Sequence, residues 1–238
     1  AVSVMPTLEL VRSRLLLPRQ PQLRQRLDPD RRLYLPFWNM PDGTEYLSQD
    51  AYGHTCTRTG ATPTGQGGWS FDGSDDVVTV PDHPSLRITS GLTIAAWVYP
   101  RTVTAEDFVL AKKAEADTTG YALLWESTPN CRLNWGTWAA ANISYDTYTM
   151  PLNTWHYLVV TATGTTVKWY HNGVLDVTDT TKTVTLTANT TGLRIGASAA
   201  GEAGWLNGLQ GELVIVQGIW TAADVWQDFQ DNRWRYGV

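Results

Sequence analysis

From Leu33 onward the chain alternates short apolar runs with turn residues. "RLYLPFW" predicts a first strand, and "HTCTRTGATPTGQGGWSFDG" predicts a Thr-rich strand, a Gly/Pro loop and a second strand start. "VVTV" and "LTIAAWVYP" follow. In the latter, Leu92, Ile94, Ala96 and Val98 share one face, and Trp97 and Tyr99 lie on the other, as a period of two requires. "FVLAKKA", "YALLWES", "CRLNWGTW", "WHYLVVTAT", "TVKWYHNGVLDVTDT", "GLRIGAS" and "LQGELVIVQGI" continue the series. Asn172-Gly173 sits between two alternating runs, the signature of a two-residue hairpin of type I′. So many short strands with no interleaved helices predict a sandwich or a barrel, and residues 34–220 are expected to form two packed antiparallel sheets with Trp97, Val159 and Ile215 buried. One helix is predicted near the end. Thr221 caps it, Asp224 takes its third position, and Val225, Trp226 and Phe229 form one face.

Residues 1–33 carry no such period. Pro18, Pro21 and Pro29 interrupt them, so they read as an extended arm ahead of a domain at 34–238. Charge separates the two parts. The arm holds seven arginines (12, 14, 19, 24, 26, 31 and 32) against Glu9, Asp28 and Asp30, a net of +4, and the remainder carries −9. An arm that docks on an acidic neighbouring copy accounts for both halves. Arg12, Arg14, Arg24 and Arg26 would orient it, and Leu15, Leu16 and Leu17 would supply the apolar contact. Nucleic acid is not an expected partner, because an acidic body repels phosphates.

The chain has 238 residues, 42% hydrophobic and 17% charged, which suits a packed globular domain. No apolar run approaches the ~20 residues needed to span a bilayer. Charges interrupt "LVRSRLLLP", so no signal peptide is expected, and a leader removed before Ala1 stays open. Cys56 and Cys131 form no disulfide framework; two buried free thiols are favoured over one bridge.

The blocks "WSFDGSDDVVTVPDHPSL", "LTIAAWVYP", "VLAKK…GYALLW", "NTWHYLVVTATGTTVKWYHNGVL" and "LRIGAS…WLNGLQGELVIVQGIWTAADV" occur in an order that resembles the laminin-G-like branch of the concanavalin A-like lectin/glucanase superfamily, over roughly residues 66–230. The resemblance implies an all-β, two-sheet antiparallel jelly-roll sandwich with a curved face, here with an extended N-terminal arm and a short C-terminal helix. The preceding stretch, "LYLPFW…SQDAYGHTCTRTGATPTGQG", is similar to the lead-in of laminin-G-like structural proteins of tailed bacteriophages. That implies a structural or interaction protein on a virion or other extracellular surface. Its partners would be copies of itself or a scaffold such as a capsid or tail. A secreted carbohydrate-binding module that recognises cell-surface glycan is the alternative.

Three candidate chemistries follow. Asp72, Asp75 and Asp76 offer hard oxygen ligands of the kind calcium takes, and the family includes calcium-binding members. The spacing is not that of an EF-hand, and an Asp-Gly turn whose carboxylates cap backbone N–H groups is favoured, so no cofactor is expected. Trp125, Trp135 and Trp138 are candidate platforms for sugar rings, set against simple packing. Glucanases of the superfamily carry carboxylates spaced close to E-x-D-x-E on one strand, and no strand here does. Glu115-Ala116-Asp117 reads as a turn, and His54, His83, His156 and His171 have no nucleophile arrangement beside them. The chain therefore does not read as an enzyme.

Overall fold

The computed structural model describes residues 28–41, 43–103, 106–126, 130–199 and 204–238. Among them, two antiparallel sheets face each other. The first runs in the order β14 (Val174–Asp179), β13 (Thr166–His171), β12 (His156–Thr163), β7 (Leu92–Pro100), β16 (Asn207–Gln217), β5 (Trp69–Asp72) and β4 (Thr62–Pro63), and β1 (Arg31–Pro36) pairs with the other end of β16. The second runs β11 (Ile143–Tyr145), β10 (Cys131–Trp135), β9 (Tyr121–Glu126), β8 (Glu106–Ala111), β15 (Leu193–Ile195), β6 (Val77–Val80), β3 (Thr55–Thr59) and β2 (Glu45–Leu47). This is the expected jelly-roll-like sandwich.

The period of two in the sequence becomes the two faces of the first sheet. Leu92, Ile94, Ala96 and Val98 enter the core between the sheets, where Val160, Trp169, Leu213 and Ile215 meet Val80, Leu123, Trp125 and Leu133. Ala95, Trp97, Tyr157, Val159 and Val214 enter a second apolar layer on the outer face. The C-terminal helix α1 (Ala222–Asn232) covers that layer with Val225 and Phe229, so Trp97, Val159 and Ile215 are all buried. The hairpin between β13 and β14 has Asn172 at φ 49° and Gly173 at φ 82°, the I′ pattern that Asn-Gly predicts.

The helix begins as expected. Thr221 Oγ1 accepts from Asp224 N, and the Asp224 carboxylate accepts from Thr221 N, a reciprocal capping box. Its face differs from the expected one. Trp226 is 48% exposed, while Asp228 and Asn232 turn inward with Val225 and Phe229. The sequence assigned Trp226 inward on its apolarity. Burial is set instead by a polar network under the helix. Tyr157 Oη donates to Asp228 at 2.6 Å, Tyr34 Oη donates to Glu212 at 3.1 Å, and Asn232 Nδ2 donates to Glu212 at 3.3 Å.

The arm boundary also moves. β1 starts at Arg31, so Arg31, Arg32 and Leu33 lie in the first sheet of their own domain and not on a neighbour. The Arg31 guanidinium is spent on Asp228 at 3.5 Å and lies over the ring of Trp220. Arg12, Arg14, Leu15, Leu16, Leu17, Arg24 and Arg26 lie outside the described residues. Cys56 and Cys131 are buried free thiols, as favoured. Burial, with Asp50 nearby, pushes the Cys56 thiol up to about 12.

Glu212 makes folding pH-dependent. Its burial, reinforced by Asp228, raises its pKa from 4.5 to about 7, against the opposing pull of Arg235 and Arg31. A carboxyl whose folded pKa lies above its unfolded one stabilises the fold fully below pH 4.5 and loses that contribution as pH rises through about 7. Urea melts across this window should show stability declining with pH, and Glu212→Gln should flatten the decline. An unchanged slope in the variant would assign the dependence to another group.

Candidate functional site

On the outer face of the second sheet, strand register sets small residues beside large ones. Ala111 opposes Ala122, which opposes Asn134; Phe108 opposes Leu124, which opposes Arg132. The small pair lets Lys113, just past β8, lay its side chain across β9, and its ammonium donates to Asn134 Oδ1 at 2.9 Å. Asn134 Nδ2 donates in turn to Thr137 O at 2.9 Å and Asn142 O at 3.2 Å. These bonds fold the loop after β10 back over the sheet, with Trp138 at its turn.

The indole of Trp138 meets Phe108 edge to face at 6.0 Å. Lys113 Nζ lies 3.8 Å from its ring centroid and the Arg132 guanidinium 5.4 Å from it. Two cations therefore brace one aromatic. Burial lowers the Lys113 pKa to about 8; Asp117 opposes the shift and Arg132 adds to it. Arg132 forks between two glutamates on neighbouring strands, Glu106 at 2.9 Å and Glu126. Arg132 Nε and Trp138 Nε1 are enclosed and have no acceptor among the described residues. The result is a half-buried ring held by cations, with two carboxylates paired to the arginine beneath it.

Of the three expected platforms, only Trp138 lies here. Trp125 and Trp135 are 0% and 1% exposed and belong to the core between the sheets. Trp125 Nε1 donates to Asp107 at 3.1 Å, and Trp135 Nε1 donates to Thr183 O at 3.3 Å. Their parity on β9 and β10 points inward, so neither can meet a sugar. The sequence reading missed Lys113, Arg132, Glu106 and Glu126. The available signal was register: β8 and β9 place Glu106 opposite Glu126, which no single strand reveals.

The acidic turn behaves as a corner. Asp72 Oδ1 accepts from Ser74 N at 2.8 Å, and Asp76 Oδ2 accepts from Asp72 N at 2.9 Å, while Gly73 takes φ 83°. Carboxylate oxygens of Asp72, Asp75 and Asp76 come within 4.8 Å of one another. Burial, with Asp72 beside it, raises the Asp76 pKa. Three carboxylates, two of them already capping N–H groups, provide about half of the 6–8 oxygens calcium takes.

The fold does bring one serine to two histidines. Ser85 Oγ lies 2.9 Å from His83 Nδ1 and 3.2 Å from His54 Nε2. Both contacts are structural. Ser85 N also donates to His83 Nδ1, which caps a single helical turn, and His54 Nε2 donates to Arg32 O at 2.8 Å. Asp50 is spent on the N–H groups of Tyr34, Tyr52 and Gly53. Asp117 closes the expected turn, accepting from Ala114 N at 2.7 Å and from Thr191 Oγ1 at 2.6 Å.

The family model of the laminin-G type matches residues 72–226, from the acidic turn into the helix, which takes in β6 to β16. The chain belongs to the concanavalin A-like lectin/glucanases superfamily. No curated protein matches this sequence. Solved structures share the superfamily fold. The botulinum neurotoxin serotype D binding domain is similar with a TM-score of 0.65 at 10% identity, covering 85% of this chain and 52% of that one. A chain of botulinum neurotoxin type C, which depends upon interaction with two ganglioside molecules to enter cells, has a TM-score of 0.62 at 12% identity, covering 85% and 51%. A mutant Trypanosoma rangeli sialidase with trans-sialidase activity reaches 0.65 at 14% identity, covering 85% and 33%. This superfamily member thus spans about half of each toxin chain and a third of the sialidase. At these identities the likeness is one of fold.

Proposed function

We propose that this domain is a non-enzymatic recognition module that binds carbohydrate on the outer face of the second sheet, with Trp138 as its platform. The observation that carries the reading is the indole of Trp138, half-buried and fixed over Lys113 and Arg132. A ring already immobilised loses little side-chain entropy when a sugar stacks on it. Glu106 and Glu126 supply acceptors for hydroxyl groups at its rim. They do not make a hydrolytic pair, because the Arg132 guanidinium fills the gap between them where a scissile bond would have to sit. That neighbouring folds include ganglioside-dependent toxin chains is in keeping with the reading. Calorimetric titration with oligosaccharides tests it. Trp138→Ala should weaken binding by about tenfold or more, with the melting temperature little changed. Binding that survives the substitution would remove the platform. Millimolar calcium should leave both affinity and melting temperature unmoved, since a ligand that binds only the native state would raise stability; a calcium-dependent rise would return Asp72, Asp75 and Asp76 to the site.

A second reading, a structural component of a tailed-bacteriophage particle or another large assembly held by its N-terminal arm, is favoured by two observations. The residues ahead of β1, 1–30, hold five arginines against three acids, a net of +2, against −7 in the rest. Trp226 and Trp234, on the C-terminal helical segment, are 48% and 70% exposed, large apolar side chains that a neighbouring subunit would cover. The mass of the native particle separates the readings: a recognition module alone runs as a monomer or small oligomer, and an assembly subunit is polymeric or scaffold-bound.

A further inference from the structure

Charge around Trp138 is layered. The cations lie beneath the indole and are inaccessible, with side chains 1% exposed at Lys113 and 7% at Arg132. The carboxylates lie outside them, with Glu106 48% and Glu126 23% exposed. Each glutamate gives one oxygen to Arg132, and its second oxygen makes no bond among the described residues. A ligand arriving over the ring therefore meets acceptor oxygens bearing negative charge, while the two cations beneath it are covered and Lys182 is bonded to Ala140 O on the Trp138 loop at 3.1 Å.

We infer that the Trp138 face selects neutral, hydroxyl-rich sugars and rejects sialylated, uronate-bearing or sulfated ones. The inference rests on the carbohydrate reading of the same site. Sugar hydroxyls donate to carboxylates through charge-assisted bonds, which are shorter and stronger than neutral ones. An anionic sugar brings like charges together across the same edge. Its natural partners, Lys113 and Arg132, are already paired with Asn134, Glu106 and Glu126 and shielded by the ring. Rejection is built by repulsion as well as by the absence of a matching group. Arg132 is more than nine-tenths buried against the indole, both its terminal nitrogens are bonded to the glutamates, and its enclosed Nε does not reach the surface, so it offers no charge to a ligand.

The test is a calorimetric comparison on the full chain between a neutral galactose-terminated trisaccharide and the same trisaccharide capped with sialic acid. The neutral sugar should bind at least about tenfold tighter at low ionic strength, and added salt should narrow the gap because exposed charges are screened over about 10 Å at 0.1 M. In the double variant Glu106→Gln/Glu126→Gln the preference should fall to within about threefold, since amides still accept hydrogen bonds but carry no charge. A merely structural role for the pair would move stability and leave the preference intact. Equal or tighter binding of the sialylated sugar to the native chain overturns the selectivity and leaves the carbohydrate reading standing. Failure of both sugars to bind, with Trp138→Ala indistinguishable from the native chain, overturns the reading and the selectivity with it.

Discussion

Replacing Trp97 by alanine should cost about 3–5 kcal/mol of folding stability, the range for emptying a core aromatic site. Trp97 is fully buried on the outer face of β7. Its indole stacks on Tyr236 at 4.1 Å and 18°, and lies 5.0 Å from Tyr157 and 5.8 Å from Phe229. It therefore joins the sheet, the helix and the chain end in one layer. Its loss should show as a fall in urea midpoint and as earlier exchange of helix α1 amides than of β7 amides. Trp234→Ala, at a residue 70% exposed, is the control and should shift stability by no more than about 0.5 kcal/mol. A cost for Trp97→Ala below about 1 kcal/mol would mean that the helix is held by something other than this layer.

The second large effect is expected at Lys112. Its ammonium is enclosed and donates to Asp82 Oδ1 at 2.8 Å, to Asn189 O at 2.9 Å and to Thr191 O. Burial lowers its pKa, and Asp82 opposes that shift. Lys112→Met keeps the stem but strands two backbone acceptors and removes one of the two cations on Asp82, and should cost about 1–3 kcal/mol, as leaving buried acceptors unsatisfied does. Arg87 still bonds Asp82 Oδ2, with Nε at 3.1 Å, so the damage should concentrate on the segment of Asn189 and Thr191 and show as local proteolytic sensitivity there. A variant as stable and protease-resistant as the native chain would show that water replaces the ammonium without loss.

What the sequence reveals and what it hides follow from how each feature is encoded. Period-two runs and Asn172-Gly173 are local signals, and they place the long strands, the type I′ hairpin and the division of β7 between two apolar layers. The strands left unread are β2, β4 and β11, each only two or three residues long and too short to show a period. Trp125 and Trp138 are equally aromatic, yet one is enclosed between the sheets and the other lies on a loop outside. Choosing between them requires the inward parity of β9 and the fold-back of the loop after β10. The Glu106–Arg132–Glu126 clamp is further still from the sequence, because three neighbouring strands must be in register before its charges meet. Trp226 shows the converse error: apolarity suggested burial, and a polar network at Asp228 and Asn232 took the inward positions.

The pairing of β1 with β16, from Arg31 opposite Val216 to Pro36 opposite Glu212, has a consequence for biosynthesis. Of the two paired strands, β1 leaves the ribosome long before its partner. At 5–20 residues per second the wait is roughly 10–35 s. During it Leu33, Tyr34 and Leu35 present an unpaired apolar edge, while β12, β13 and β14 can close as local hairpins around Asn172-Gly173. Nascent chains stalled before Asn207 should therefore hold a hairpin sheet lacking its central strand and should recruit holding chaperones at β1. Completion of β16 inserts that strand between β7 and β1 and releases them in one step.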